Sequence, residues 1–120
     1  MSDRELLELA AKAAGIEGKY GYAPDDYYYN GNVEGICTEL PDGRSYVWNP
    51  LTDDGDALRL AIKLNMGISI PVMAAKYARV DVITFRNSGV NVMESCNNDP
   101  CAATRRAIVR AAAEIGRNMK

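Results

Sequence analysis

The C-terminal segment "DPCAATRRAIVRAAAEIG" constrains the fold most, because its spacing fits one long amphipathic helix. Asp99 can cap its first turn, and Pro100 suits the first helical position. At roughly 100° per residue, a single apolar stripe is formed by Cys101, Ile108, Ala111, Ala112, Ile115 and Met119. A helix with such a stripe needs a second layer to cover it, so the rest of the chain must supply that layer.

Arg105 is unusual in this helix because it lies at the border of the apolar stripe, whereas Arg106 lies on the polar side. Two interpretations fit the position. Arg105 can face a recess and grip a phosphate bidentately, with Arg106 closing from outside. Alternatively, its stem lies along the stripe and its head pairs with Asp99 or with an aspartate of the second helix.

The other segments predict two more helices and several strands. "SDRE" forms a capping box at Ser2, and Gly15 is a suitable C-cap. The loop 16–32 has no clean period, whereas residues 33–50 resemble a hairpin turning at Pro41–Gly43. Thr52 or Asp53 caps a second helix, whose wide apolar arc predicts that it is buried more deeply than the first and which Gly67 is expected to close.

Three strand-like segments follow, over residues 68–75, 77–86 and 90–95. The resulting order is α-β-β-α-β-β-β-α. It predicts a single α+β domain over residues 1–120, in which an antiparallel sheet of about four to five strands packs with three helices.

Composition narrows the function classes. The chain has 48% hydrophobic and 25% charged residues and a net charge of -2, which does not favour duplex nucleic acid or an anionic membrane. There is no histidine, which removes His-based catalysis and His metal ligation. The start "MSDRELLELA" is unlike a signal peptide, so a cytoplasmic location is expected.

The three cysteines, Cys37, Cys96 and Cys101, make a weak zinc pattern and are expected to be buried free thiols. The carboxylate pairs Asp25–Asp26 and Asp53–Asp54 make poor acid/base couples, because adjacent residues on a helix do not face each other, and the glycines of "GIEGKYGY" lack the context of a phosphate loop. We therefore expect no catalytic residues, no metal and no cofactor.

Two further groups of residues could bind a ligand. Trp48, Asn49 and Thr52 mark the end of a strand and the start of the second helix, where Trp48 could stack on a ring and free amides could hold an anion. A core tryptophan beside a well-capped helix is the other interpretation. Phe85, Arg86 and Asn91 surround a turn and combine stacking with hydrogen bonding, as a nucleobase site requires, although any hairpin can carry such residues.

The segments "WNPLTDDGDALRLAIKL" and "DPCAATRRAIVRAAAEIG" together resemble the NinX-like and phage ABA-sandwich group of small phage and prophage proteins. The resemblance covers roughly residues 46–120. One branch of that architecture comprises the Thoeris anti-defence sponges, which bind cyclic ADP-ribose-type signals and some cyclic oligonucleotides without cleaving them. This resemblance implies a homo-oligomer with recessed pockets, and it points to Phe85, Asn91 and Arg105 as candidates.

The leading hypothesis is thus a non-catalytic phage protein that sequesters a nucleotide immune signal in the host cytoplasm. The alternative is an inhibitor of a host defence protein that acts by direct contact, through the tyrosines 27–29 and the acidic start of the second helix. Convergence of Arg105 and Phe85 in one pocket would favour the first hypothesis, and an ion-paired Arg105 together with an exposed tyrosine loop would favour the second.

Overall fold

The computed structural model describes residues 1–23, 33–71, 78–85 and 89–119. Three helices and six strands form an α+β fold in these residues. The helices are α1 (Asp3–Ala14), α2 (Asp54–Lys63) and α3 (Pro100–Arg117). The strands are β1 (Lys19–Tyr22), β2 (Glu34–Glu39), β3 (Ser45–Trp48), β4 (Met66–Ser69), β5 (Arg79–Thr84) and β6 (Asn91–Ser95).

The predicted helix starts are confirmed, because each depends on a local cap. The side chains of Ser2, Asp53 and Asp99 accept hydrogen bonds from the backbone N–H three residues on. Gly15 ends α1 with φ 72°, a left-handed conformation that glycine adopts without steric cost. The end of α2 was predicted wrongly: the helix stops at Lys63, and Gly67 lies within β4.

The strands form two three-stranded antiparallel sheets instead of the single sheet of four to five strands. Sheet 1 has the order β1-β2-β3 and sheet 2 the order β4-β5-β6. Helix α2 separates the two sets along the chain. The additional strand is β1, which sequence analysis placed inside an irregular loop; Lys19 pairs with Cys37 and Tyr22 with Glu34.

Each sheet buries the side of its strands that faces the helices. In sheet 2, Val80, Val82 and Thr84 are buried, whereas Arg79 and Ile83 are exposed, as the period of two predicts. Helix α3 packs on β5 and β6, and α1 packs on β1 and β2. One hydrophobic cluster contains residues from all three helices and both sheets.

The most extensive helix contact is between α1 and α3, whose facing surfaces are largely alanine. The two backbones approach closely at Gly116, since a Cβ there would lie 2.0 Å from the carbonyl oxygen of Leu9. Small side chains allow the two backbones to come this close.

Helix α2 is less buried than its wide apolar arc predicted. Leu58 is 57% exposed and Ile62 is 66% exposed, while Ala57, Leu60 and Ala61 face the core. The prediction that α2 is buried more deeply than α1 was therefore wrong. In the part of the chain that the structure describes, no helix combines the length and apolar character that a membrane span needs.

Candidate functional site

The joint between β3 and α2 is built around Asp56, whose side chain is completely buried. The Tyr46 hydroxyl donates to Asp56 Oδ1 over 2.5 Å, and the Asn49 backbone N–H donates to Oδ2 over 2.9 Å. Arg59 Nη2 donates to Oδ1 over 2.8 Å. A buried carboxylate needs this many donors to offset its lost hydration. The cluster of Tyr46, Asp56 and Arg59 therefore fixes the angle at which α2 leaves sheet 1.

Asn49 is a structural part of the same joint. It is 4% exposed, and its Nδ2 donates to the Glu34 carbonyl over 2.8 Å while its Oδ1 accepts from Leu51 N–H over 3.0 Å. Its own carbonyl accepts the N–H groups of Thr52 and Asp53. These hydrogen bonds give Asn49 a structural role in the Asn-Pro turn, so its position in the sequence needs no ligand to explain it.

Trp48 is 5% exposed and belongs to the core, as the structural interpretation of this residue proposed. Thr52 is exposed, and its hydroxyl lies 3.5 Å from the Asn49 carbonyl. Neither residue presents a free anion-binding surface at the start of α2. The acidic first turn is also largely occupied, since Asp53 caps the helix and Asp54 is ion-paired.

Arg105 is held inside the molecule. Its Nε donates to the Leu51 carbonyl over 2.8 Å, and its Nη1 lies 2.6 Å from Asp54 Oδ1. The Arg105 side chain is 18% exposed, and it ties the second turn of α3 to the start of α2. Of the two interpretations of this position, the ion pair with a second-helix aspartate is the one that the structure shows.

The other predicted residues lie apart from Arg105. Arg106 Nη1 lies 3.2 Å from Asp3 Oδ1 on the α1 side. Phe85 is 77% exposed beside Gly67, and Asn91 is exposed at the start of β6, both in or next to sheet 2. Arg86 and the tyrosines 27–29 lie outside the described residues. The structure thus does not gather the described candidates into one pocket.

The thiols differ in exposure. Cys96 is buried, Cys37 is half-buried and Cys101 is exposed, so the expectation of burial is wrong for Cys101. In the described ranges, no group of three or more acidic or cysteine side chains has the arrangement of a metal site.

A recess of about 1480 Å³ lies at the end of sheet 1 where β2 turns into β3. It is bordered by the loop after α1, by β2 and β3, and by one side of α2. By strand alternation, Thr38, Tyr46 and Trp48 reach it from the helix-facing side of the sheet. Arg59 and Lys63 reach it from α2, one helical turn apart.

Trp48 is the only one of the described candidate residues that lines this recess. Tyr46, Arg59 and Lys63 line the recess but were not predicted as site residues. Their signals were present but short: Tyr46 stands two residues before Trp48 in "SYVW", and Arg59 and Lys63 have i, i+4 spacing. The recess itself depends on how α2 meets sheet 1, which no local pattern specifies.

Two tyrosines next to this region have raised pKa values. Burial, followed by the hydrogen bond to Asp56, raises the pKa of Tyr46 to about 12. The hydrogen bond from the Tyr20 hydroxyl to Glu34 raises the pKa of Tyr20 to about 12. Both phenols therefore stay protonated at neutral pH and act as hydrogen-bond donors.

Alkaline pH is expected to weaken the joint through Tyr46. Because the folded pKa is raised, the stability that Tyr46 contributes is fully present below about pH 10, the unfolded pKa, and is lost as the pH rises through about 12. Urea unfolding across this window should show a steeper loss in the wild type than in Tyr46→Phe. Tyr20 is retained in both proteins, so its contribution cancels; equal slopes would contradict the prediction.

Comparison with known proteins gives no relative: no family model, no curated protein and no solved structure matches the chain.

Proposed function

We propose that the chain is a non-catalytic binding protein that holds a nucleotide-type ligand in the recess at the end of sheet 1. The observation that carries this proposal is the lining of the recess, where the half-buried ring of Tyr46 lies on one wall, backed from the core by Trp48, and the cations Arg59 and Lys63 lie on another. Nucleotide sites combine a stacking surface with positive charge in this way. The volume of about 1480 Å³ exceeds the roughly 300–1,000 Å³ of common small-ligand pockets, which leaves room for a ligand as large as a dinucleotide.

Binding without turnover follows from the chemistry of the lining. The chain has no histidine to act as a base near neutral pH. The Asp56 carboxylate is occupied by Tyr46, Asn49 and Arg59, and the raised pKa of Tyr46 makes its phenol a poor acid and a poor nucleophile.

The resemblance to small phage proteins supplies the biological part of the proposal. Under this proposal, the protein is phage-encoded, acts as a homo-oligomer in the cytoplasm of the host, and sequesters a cyclic ADP-ribose-type signal or a cyclic oligonucleotide. The proposed ligand site is the recess and not Arg105, because Arg105 already binds Asp54 and the Leu51 carbonyl.

A thermal-shift screen tests this function. The panel contains cyclic ADP-ribose, a cyclic dinucleotide and a cyclic trinucleotide. A ligand at about 100 times its Kd should stabilise the protein by roughly 2.7 kcal/mol. Arg105→Ala serves as the matched variant: it should lose about 1 kcal/mol of stability, mainly through the Leu51 hydrogen bond, because solvent screens the pair with the exposed Asp54.

The ligand-induced shift should be the same in Arg105→Ala as in the wild type, since this arginine lies outside the recess. Loss of the shift in that variant would move the site back to Arg105. The absence of a shift with every member of the panel would reject nucleotide binding.

A second candidate function is the inhibition of a host protein by direct contact. The observation that favours it is the outer side of sheet 2, where Ile83, Phe85 and Met93 are 40%, 77% and 50% exposed. Exposed apolar groups of this kind mark contact surfaces. If the nucleotide panel gives no shift, Met93→Lys should reduce capture of a host protein from lysate, with the exposed Lys19→Gln as the control.

A further inference from the structure

The cations that line the recess differ in whether a carboxylate already pairs with them. Each arginine that the structure describes lies within 4 Å of a carboxylate. Lys63 differs, because it is exposed, lines the recess and has no ion-pair partner among the described residues. It is therefore a cation inside the recess whose charge is not already neutralised.

Arg59 adds hydrogen-bond donors to the recess, although its charge is paired with Asp56. The contacts of Arg59 with Asp56 and Tyr46 both use Nη2, and its side chain is 66% exposed. A guanidinium has five N–H donors in a fixed fork, so the remaining donors of Arg59 can reach a ligand.

The wall formed by α2 consequently favours an anion. Arg59 and Lys63 are like charges at i, i+4. Asp56 offsets the charge of Arg59, which leaves Lys63 as the cation that an anion can pair with. Asp56 is completely buried and satisfied by its own donors, and Tyr46 remains neutral. The other carboxylates of the recess, Glu17 and Glu39, lie at the end of sheet 1, and Glu39 projects to the side away from α2 by strand alternation.

We infer that Lys63, with the free nitrogens of Arg59, forms the phosphate subsite of the recess. The inference rests on the proposed function and adds the orientation of the ligand: the phosphate lies against α2, and the ring lies toward Tyr46. Lys63 contacts the ligand directly, whereas Asp56 positions Arg59 and Tyr46 without contacting the phosphate.

Calorimetric titration of Lys63→Gln with cyclic ADP-ribose and with a cyclic dinucleotide tests this subsite. Affinity should fall about tenfold, since one charge-assisted hydrogen bond is lost. Lys19→Gln is the matched control, because Lys19 is also exposed but lies outside the recess lining; its affinity should stay within about twofold of wild type. Both variants should melt at the wild-type temperature, because neither lysine has an ion-pair partner in the described part of the chain.

Salt dependence gives an independent readout. Raising NaCl from about 50 to about 500 mM should weaken wild-type binding, and Lys63→Gln should reduce this dependence. Wild-type binding combined with equal affinities of the two variants would overturn the subsite and leave the proposed function intact. A wild type that binds neither probe would overturn the subsite for these ligands, and the full panel would then decide the proposed function.

Discussion

Replacing Asp56 with alanine is expected to lower the free energy of unfolding by about 3–5 kcal/mol, the range for removing one partner from a buried charged network. Three donors converge on the two carboxylate oxygens, and the residue is completely buried. After the substitution, the Tyr46 hydroxyl and the Asn49 N–H remain in the protein interior without their acceptor. Urea unfolding at pH 7, monitored by the fluorescence of Trp48, gives the measurement.

Asp56→Asn separates charge from shape in the same experiment. The amide keeps one acceptor oxygen but places an NH₂ group opposite a donor, so a loss of about 1–3 kcal/mol is expected. Asp3→Asn is the matched control, because Asp3 lies in the first turn of α1 and is 67% exposed. If Asp56→Ala were as stable as this control, the cluster would not hold α2 on sheet 1.

The residue pattern predicted those parts of the fold that depend on near neighbours in the chain. The caps at Ser2, Asp53 and Asp99 need only a side chain and an N–H three residues away. The hairpin at Pro41–Gly43 and the two sides of β5 likewise follow from turn chemistry and a period of two.

The division into two sheets was not predictable in the same way. Strand β1 has the sequence KYGY, which lacks strong apolar alternation, and it is a strand because it pairs with β2. The close approach at Gly18 helps, since a Cβ there would lie 2.2 Å from the Cys37 carbonyl oxygen. Which strands share a sheet is decided by such long-range contacts, and hydrophobic periodicity does not encode them.

Arg105 shows what helical periodicity can and cannot predict about a side chain. The helical pattern placed this side chain correctly at the edge of the buried face. It did not decide whether the partner of Arg105 is a phosphate ligand or a carboxylate of the chain. Asp54 is distant in sequence but adjacent in space, because α2 packs on α3. The recess is a similar case, since Tyr46 and Lys63 come from different elements and meet only after α2 has docked on sheet 1.

Gly116→Ala is expected to destabilise the protein by about 2 kcal/mol or more, although alanine is the better helix former by about 1 kcal/mol. The new Cβ would lie 2.0 Å from the Leu9 carbonyl oxygen and 2.8 Å from its carbonyl carbon, both of them backbone atoms. Contacts this short cannot be relieved by a side-chain rotation, so α1 and α3 must separate. Their separation would also loosen the alanine-rich surfaces that pack around them.

Gly55→Ala provides the matched control for this substitution, because Gly55 is also helical but the atoms nearest to its Cβ would belong to side chains. These atoms are Arg59 Nη1 and Nη2 at 3.2 Å and Asp53 Oδ2 at 3.3 Å. The flexible end of Arg59 can shift, so a gain of a few tenths to about 1 kcal/mol is expected. Thermal unfolding of both variants should therefore move in opposite directions. Stabilisation by Gly116→Ala as well would mean that α1 and α3 do not approach each other as closely as Leu9 and Gly116 indicate.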